Sequence, residues 1–306
     1  MLRRLLSTKK SEFFKVVEVG PRDGLQNEKV FVPTEVKVEL IDRLSDCNFK
    51  VVESTSFVSP KWIPQMRDQV EVINGIKKKS SVSYPVLVPN LAGLKNALAT
   101  GSVEEIAVFG AASDSFSKKN VNANVEESLQ KLCDVTSAAL KEGIRVRGYV
   151  SCVVGCPYEG NIKPDIVAKV TEKLLEVGCY EVSLGDTIGV GTPGSVGKML
   201  ETVLKSAPAE KLAVHFHDTY GQALANVLVS IEKGIRVADS SLSGLGGCPY
   251  AKGATGNLAT EDLLYMLDGL GFDTGVDLKE VIKTANWFNE KMGRTVKSRV
   301  GAAYKL

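Results

Sequence analysis

The chain has 306 residues, of which 44% are hydrophobic and 24% charged, and its formal net charge is +2. This composition is typical of a soluble globular protein, and the length suits one large α/β barrel or two ordinary domains. No apolar run is long enough to span a bilayer and no long basic face is visible, so we expect neither a membrane span nor a nucleic-acid partner. The scattered cysteines indicate reduced thiols rather than a disulfide scaffold.

The N-terminal segment, residues 1–15, is basic. Its only acid is Glu12, and its basic residues are Arg3, Arg4, Lys9, Lys10 and Lys15. This pattern is typical of mitochondrial transit peptides, although a disordered basic tail is the alternative. We therefore expect a tail or targeting segment over 1–15, one catalytic domain over 16–306, and a location in the mitochondrial matrix. The ending Tyr304-Lys305-Leu306 resembles the peroxisomal Ser-Lys-Leu address only in part, so a peroxisomal location has weak support.

The rest of the chain alternates short apolar strands with helical patterns. Strands are predicted at 16–19, 51–55, 84–88, 105–109, 145–150, 180–184, within 212–218, and at 237–242. Helices are predicted at 34–47, 65–79, 91–100, 125–142, 165–177, 194–205, 222–233 and 260–270, and a final helix at 278–291 closes the chain. A long polar loop through Lys118, Lys119 and Asn120 is predicted after the fourth strand.

Eight strand–helix units predict a (β/α)8 TIM barrel, an α/β fold, here with an extra C-terminal helix. An open doubly wound sheet would need a glycine-rich phosphate loop after strand one, but Gly20-Pro21-Arg22-Asp23 stands there. In a barrel the active site lies at the carboxyl ends of the strands. In the closed ring the ends of strands seven, eight and one are neighbours. The polar residues predicted at these ends are Arg22, Asp23, Glu53, Asp186, His215, His217, Cys248 and Asn257.

Both histidines of the chain, His215 and His217, lie on strand seven two residues apart, so they share one face of the strand. With Asp23 and Asn257 they would form a metal site, and this mixed set of hard ligands favours Mg²⁺ or Mn²⁺, although zinc would also bind. Alternatively, Asp23 is a helix cap or forms a salt bridge with Arg22, and Asn257 caps the following helix.

Arg22 is predicted to stabilise developing oxyanion charge, with Glu53 orienting it and keeping it away from Asp23. A simple ion pair is the alternative. Gln26 is a candidate substrate contact. Cys248, in the glycine-rich loop 243–257, is either a catalytic acid or an inert buried thiol.

The basic group Lys118, Lys119 and Asn120 would contact a phosphate-bearing substrate such as a coenzyme A ester. The alternative for this group is ordinary solvated surface.

Four motifs carry a resemblance to the 3-hydroxy-3-methylglutaryl-CoA lyase family of metal-dependent barrels. They are Gly20-Pro-Arg-Asp-Gly-Leu-Gln-Asn-Glu28, Thr55-Ser-Phe-Val-Ser-Pro-Lys-Trp62, His217-Asp-Thr-Tyr-Gly-Gln222 and Gly244-Leu-Gly-Gly-Cys-Pro-Tyr250. The resemblance implies cleavage of 3-hydroxy-3-methylglutaryl-CoA to acetyl-CoA and acetoacetate, in leucine breakdown and ketone-body formation. It also implies Mg²⁺ or Mn²⁺ held by Asp23, His215, His217 and Asn257, catalytic roles for Arg22 and Cys248, and a homodimer.

A retro-Claisen cleavage suits these residues. A base, Asp23 or alternatively His215, would take the proton of the tertiary hydroxyl; Arg22 would stabilise the thioester enolate; and Cys248 or a metal-bound water would reprotonate the carbon. A Claisen-condensing synthase would share the metal and the arginine. A metal-dependent hydrolase also uses two histidines in this pattern, but typically on the first barrel strand. A non-catalytic barrel would not need these groups at one rim.

Overall fold

The computed structural model describes residues 11–247 and 256–304, and its centre is a parallel sheet. The strands are β1 (Lys15–Glu18), β2 in two pieces (Val51–Val52 and Thr55–Ser56), β3 (Val86–Leu87), β4 (Glu105–Ala111), β5 (Arg145–Ser151), β6 (Glu181–Asp186), β7 (Leu212–Phe216) and β8 (Val237–Ser240). Separately, Gly155–Cys156 and Gly160–Asn161 form a small antiparallel hairpin.

The sheet closes on itself. Neighbouring strands pair in parallel around the ring, including β8 with β1. The first piece of β2 pairs with β1 and the second pairs with β3, so the two ends of the sheet are consecutive parts of one segment. Between the pieces, the N–H of Glu53 donates to the carbonyl of Glu18 and that of Ser54 to the carbonyl of Pro85. The predicted eight-stranded barrel is confirmed.

Helices surround this ring. They are α1 (Thr34–Asp46), α2 (Gln69–Gly75), α3 (Leu91–Leu98), α4 (Asp114–Val121), α5 (Val125–Lys141), α6 (Pro164–Glu176), α7 (Pro193–Val203), α8 (Ala223–Glu232), α9 (Thr260–Gly269), α10 (Leu278–Lys291) and α11 (Arg299–Ala303). Side chains of Asn90, Ser113, Asn124, Thr192 and Asp277 accept backbone hydrogen bonds at the starts of α3, α4, α5, α7 and α10. These caps satisfy donors that the first helical turn leaves free. None of the helices in the described ranges is long and apolar enough to cross a membrane.

The predicted polar loop through Lys118, Lys119 and Asn120 is wrong, because these residues lie in α4. Ser113 caps the start of this helix and Asn122, with a left-handed backbone (φ 51°), ends it. Two strong local signals therefore outweigh the polar composition.

Other boundaries also differ from the predicted ones. Helix α2 is shorter than the predicted 65–79, since Ile76 is already extended. The predicted final helix, α10, is followed by α11.

The two faces of the strands have different surroundings. Outward side chains such as Val146, Val182 and Phe216 pack in the large apolar cluster beneath the helices. Inward positions carry polar groups, including the fully buried Arg147, as well as apolar ones such as Ala213. The interior of this barrel is therefore partly charged, whereas branched apolar side chains usually fill it.

The packed chain begins slightly before residue 16. Phe14 is buried and its N–H donates to the carbonyl of Asp273, while Lys15 already belongs to β1. The rest of the predicted targeting segment, residues 1–10, lies outside the described residues. The five cysteines within the described residues form no disulfide with one another and are buried, as expected for reduced thiols.

Candidate active site

A cavity of about 810 Å³ opens at the carboxyl ends of the strands. Its volume lies in the range of small-molecule binding sites. Its lining is mixed. The polar lining residues include Arg22, Asp23, Gln26, His215 and His217, and the apolar ones include Val58, Ile63, Leu87, Pro89 and Phe109. The position agrees with the rule that barrel chemistry lies at this end.

A wide helical turn after β1 presents Arg22 and Asp23 to the cavity. The N–H groups of Asp23 and Gly24 both donate to the carbonyl of Val19, at 2.8 and 3.2 Å. A Cβ atom at Gly24 would lie 2.8 Å from both Leu245 Cβ and Ser241 Oγ. Glycine at this position therefore lets the turn pack directly against the segment that follows β8.

Three of the polar lining residues, Asp23, His215 and His217, come together as a cluster. Each offers one possible ligand atom, and the three atoms lie within 4.8 Å of one another. Nε2 of His215 is 3.8 Å from Oδ2 of Asp23, and all three residues are buried. The closed ring thus brings together residues nearly two hundred positions apart, as the barrel topology predicts.

Asn257 completes this group. Its Nδ2 donates to Oδ2 of Asp23 at 2.7 Å and to the carbonyl of Leu245 at 3.0 Å. Helix α9 begins at Thr260, preceded by Ala259, so the alternative that Asn257 caps the helix is wrong. A Cβ atom at Gly246 would lie 2.6 Å from Nδ2 of Asn257, so glycine is needed there for this close approach.

The residues present fit a divalent cation. Nδ1 of His217 and Oδ1 of Asn257 are buried and find no hydrogen-bond partner within residues 11–247 and 256–304. Leaving such atoms unpaired costs about 1–3 kcal/mol each. Together with the carboxylate of Asp23 they offer nitrogen and oxygen ligands of the kind that hard divalent metals accept. A bound cation would pair the unsatisfied atoms.

Arg22 bridges two acids. Its Nη1 lies 2.7 Å from Oδ1 of Asp23 and its Nη2 lies 2.9 Å from Oε2 of Glu53. The expectation that Glu53 keeps Arg22 away from Asp23 is therefore wrong, because the guanidinium fork has donors for both carboxylates. The alternative salt bridge between Asp23 and Arg22 exists alongside the candidate metal cluster. Arg22 also lies 5.5 Å above the ring of Tyr149.

The surroundings of Asp23 and His217 favour the forms that bind a cation, whereas burial alone would lower the pKa of His215 but Asp239 and Asp23 raise it. Burial alone would raise the pKa of Asp23, but the charges of Arg22 and the histidines hold it below its usual value. Burial, reinforced by the charge of His215, lowers the pKa of His217 to about 4. Near neutral pH the site therefore holds an ionised carboxylate and a neutral imidazole, the forms that coordinate metals.

The predicted substrate contacts are only partly at the cavity. Lys119 and Asn120 line it, and Lys118, although exposed, is not part of its lining. Gln26 lines it too, with its Nε2 donating to Oδ1 of Asp23 at 2.7 Å. Glu53 lies behind Arg22, away from the cavity wall. Cys248, the predicted acid, lies outside the described residues.

Three interior side chains were not predicted. Arg147 and Tyr149 on β5 and Asp239 on β8 are buried beneath the cluster, and Nη2 of Arg147 lies 2.7 Å from Oδ1 of Asp239. The signal was present, because alternation places all three on inward positions of apolar strands. A charged residue at such a position needs a partner inside the barrel.

Comparison with known proteins gives consistent matches. The model of the HMGL-like family matches residues 13–287. The cytoplasmic 3-hydroxy-3-methylglutaryl-CoA lyase of Rattus norvegicus is 59% identical over 292 residues, 95% of this chain and 85% of the relative. The mitochondrial hydroxymethylglutaryl-CoA lyase of Bos taurus is 59% identical over 289 residues, 94% of this chain and 89% of the relative. The crystal structure of hydroxymethylglutaryl-CoA lyase from Pseudomonas aeruginosa is 51% identical, with a TM-score of 0.93, and the match covers 96% of this chain and 97% of that one.

Proposed function

The chain belongs to the HMGL-like family, and on that basis we propose that it cleaves 3-hydroxy-3-methylglutaryl-CoA to acetyl-CoA and acetoacetate. The reaction is a carbon–carbon lyase step in leucine breakdown and ketone-body formation. The observation that carries the proposal is the cluster of Asp23, His215 and His217 beside Arg22, inside a cavity at the carboxyl ends of the strands.

The family is metal-dependent, and the cluster provides a place for the ion. Asp23, His215, His217 and the amide oxygen of Asn257 would hold Mg²⁺ or Mn²⁺, because carboxylate, imidazole and amide ligands without a thiolate suit these ions. The bound cation supplies positive charge that favours the ionised form of a substrate hydroxyl. The unpaired Oδ1 of Asn257 and Nδ1 of His217 support this assignment.

Cleavage moves one proton off oxygen and one onto carbon. Asp23 is the proposed base for the tertiary hydroxyl, although its low pKa weakens it, and His215 is the alternative. As the carbon–carbon bond breaks, its electron pair passes to the acetyl-CoA enolate and the former alcohol becomes the ketone of acetoacetate. Arg22 would stabilise the enolate oxygen, while Glu53 holds the second edge of the guanidinium. Cys248 or a water would then protonate the enolate carbon.

The remainder of the cavity suits an acyl-CoA. The apolar lining residues would pack against the thioester arm, and Gln26, which donates to Asp23, would contact the acyl group. Lys119 and Asn120 line the cavity on α4 and would contact the phosphate-bearing part, with Lys118 on the exposed side of the same helix.

We also propose a homodimer and a location in the mitochondrial matrix. The basic composition of residues 1–15 supports the location, while the similar proteins include both mitochondrial and cytoplasmic forms. Sedimentation of the purified chain tests the first proposal. Imaging of a fluorescent protein fused behind residues 1–15 tests the second.

The function is tested by incubating the chain with 3-hydroxy-3-methylglutaryl-CoA and measuring acetoacetate, with added Mg²⁺ and with a chelator. We expect acetoacetate to form in the presence of Mg²⁺, and we expect the chelator to abolish its formation. Thiol release from acetyl-CoA and a 2-oxo acid, without cleavage of the first substrate, would instead favour a condensing synthase.

Substitution of Arg22 tests the catalytic assignment. Arg22→Gln should lower kcat about 100-fold or more, the usual loss for an oxyanion-stabilising donor, while Mn²⁺ still binds. Arg22→Lys keeps the charge but loses the planar guanidinium that contacts two carboxylates at once. Arg43→Gln, a half-buried arginine on α1 that does not line the cavity, is the control. Unchanged turnover in Arg22→Gln would exclude the role.

A further inference from the structure

Asp239 lies beside His215 for a structural reason. The two residues are register partners in the parallel pairing of β7 with β8, so their side chains point to the same side, into the barrel. Oδ2 of Asp239 is 3.3 Å from Nδ1 of His215. Asp239 is only 2% exposed, so this contact is shielded from water.

Other side chains hold the Asp239 carboxylate in place. Nη2 of Arg147 donates to Oδ1 at 2.7 Å, and Nη1 donates to Oδ2 at 3.3 Å. The hydroxyl of Ser183 donates to Oδ2 at 2.8 Å. Arg147 is itself fixed, because its Nε donates to Oε1 of Glu181 at 2.8 Å. The carboxylate therefore has little freedom to turn away from His215.

The two ring nitrogens of His215 face different groups. Nδ1 faces Asp239, and Nε2 faces Asp23 in the metal cluster. A neutral imidazole carries one N–H and one lone pair, and a metal ligand must use the lone pair. A proton on Nδ1, donated to Asp239, leaves the lone pair on Nε2 facing the cluster.

We propose that Asp239 is a positioning residue that fixes the tautomer and ring orientation of His215, so that Nε2 is free to coordinate the divalent cation. The inference rests on the proposed metal site but not on the identity of the substrate. Carboxylates that accept from metal-binding histidines act in this way and typically change metal affinity 10- to 100-fold. His217 differs, since its Nδ1 has no partner within the described ranges.

The variant Asp239→Asn tests the tautomer directly. Arg147 needs an acceptor, so the amide oxygen of the variant would turn toward Arg147 and the NH₂ group toward Nδ1 of His215. The imidazole would then accept at Nδ1 and carry its proton on Nε2, where it blocks coordination. The isosteric change keeps the volume and removes one charge.

Two measurements are made on the whole chain, without substrate. The first is the nitrogen NMR spectrum of protein labelled in histidine, which is simple because the chain has only 2 histidines. The second is Mn²⁺ affinity, followed by titration of free Mn²⁺. Ser183→Ala is the matched control, because it removes one hydrogen bond to Oδ2 of Asp239 while both contacts from Arg147 still hold the carboxylate.

At a pH where His215 is neutral, we expect its proton on Nδ1 in the metal-free wild type and in Ser183→Ala, and on Nε2 in Asp239→Asn. The Mn²⁺ affinity of Asp239→Asn should fall about 10- to 100-fold, while that of Ser183→Ala stays close to wild type. Wild-type affinity in Asp239→Asn would overturn the proposal.

A neutral wild-type His215 with its single proton on Nε2 would also overturn the proposal, and this result needs no variant to fold. A wild-type chain that binds no Mn²⁺ would refute the metal site itself. The absence of acetoacetate formation would refute only the substrate assignment.

Discussion

The buried carboxylate of Glu261 makes the stability of the site scaffold depend on pH. Glu261 is 0% exposed at the start of α9, and both its oxygens accept from the N–H of Ser243, at 2.9 and 3.1 Å. This contact holds the turn at 242–244 that leads to Leu245, whose carbonyl accepts from Asn257. We predict that Glu261→Gln, which keeps an acceptor for Ser243, removes a large part of the pH dependence.

The magnitude follows from the pKa of this group. Burial raises the pKa of Glu261 from its ordinary value of 4.5 to about 8. The folded state therefore binds the proton more tightly than the unfolded state. The resulting stabilisation is complete below pH 4.5 and is lost as the pH rises through about 8. At about 1.4 kcal/mol per pH unit, the loss totals about 5 kcal/mol. Glu18, whose pKa burial raises to about 7, adds a change of the same sign that remains in the variant.

The assay is urea unfolding at several pH values from 5 to 8. As the pH rises, the free energy of unfolding of Glu261→Gln should increase relative to that of wild type by up to about 1.4 kcal/mol for each pH unit. The exposed Glu172→Gln, on α6, is the control and should follow the wild-type curve. Parallel curves for Glu261→Gln and wild type would refute the assignment of this pH dependence to Glu261.

Three further substitutions have defined outcomes in the same unfolding assay. Gly24→Ala should lower the free energy of unfolding by about 1–3 kcal/mol and weaken Mn²⁺ binding, because the added Cβ would lie 2.8 Å from Leu245 Cβ. Gly194→Ala is the control: the atom nearest to its added Cβ would be 4.0 Å away, so stability and Mn²⁺ binding should both stay unchanged. Tyr149→Phe should cost about 1–3 kcal/mol, because the hydroxyl donates to Glu53 at 3.1 Å; an unchanged value would show that this bond is unimportant. Ser113→Ala should cost about 1 kcal/mol through loss of the α4 cap, and a cost near zero would contradict that role.

The barrel could be predicted because its evidence is local and repeated. Each short apolar strand followed by a helical pattern indicates a βα unit, and eight units close a ring. The ring then brings Asp23 close to His215 and His217 without any knowledge of side-chain positions, since parallel strands end at one rim. The place of Arg22 and Asp23 at this rim could be predicted for the same reason, because these polar residues directly follow a buried strand.

Contacts that depend on atomic distances could not be predicted in this way. The sequence indicates that Arg22 lies near Glu53 and Asp23, but only the folded structure shows that one guanidinium contacts both. Helix α4 was missed because its residues are mostly polar, and its formation depends on Ser113 at one end and Asn122 at the other. Composition is a weak guide to so short a helix.

The charged interior explains why a cation suits this barrel. Side chains that line the cavity or lie behind its lining form a closed ring of contacts: Arg22, Glu53, Tyr149, Arg147, Asp239, His215 and Asp23. Glu181, the other partner of Arg147, is balanced by Lys15. With His215 neutral, two arginines and three carboxylates leave one net negative charge among largely buried groups. Such a charge is costly without a counter-ion. A divalent cation at Asp23 would reverse the net charge to one positive. The metal would thus relieve the buried negative charge and, because electrostatic interactions are strong where water is excluded, favour the anionic substrate and the enolate formed from it.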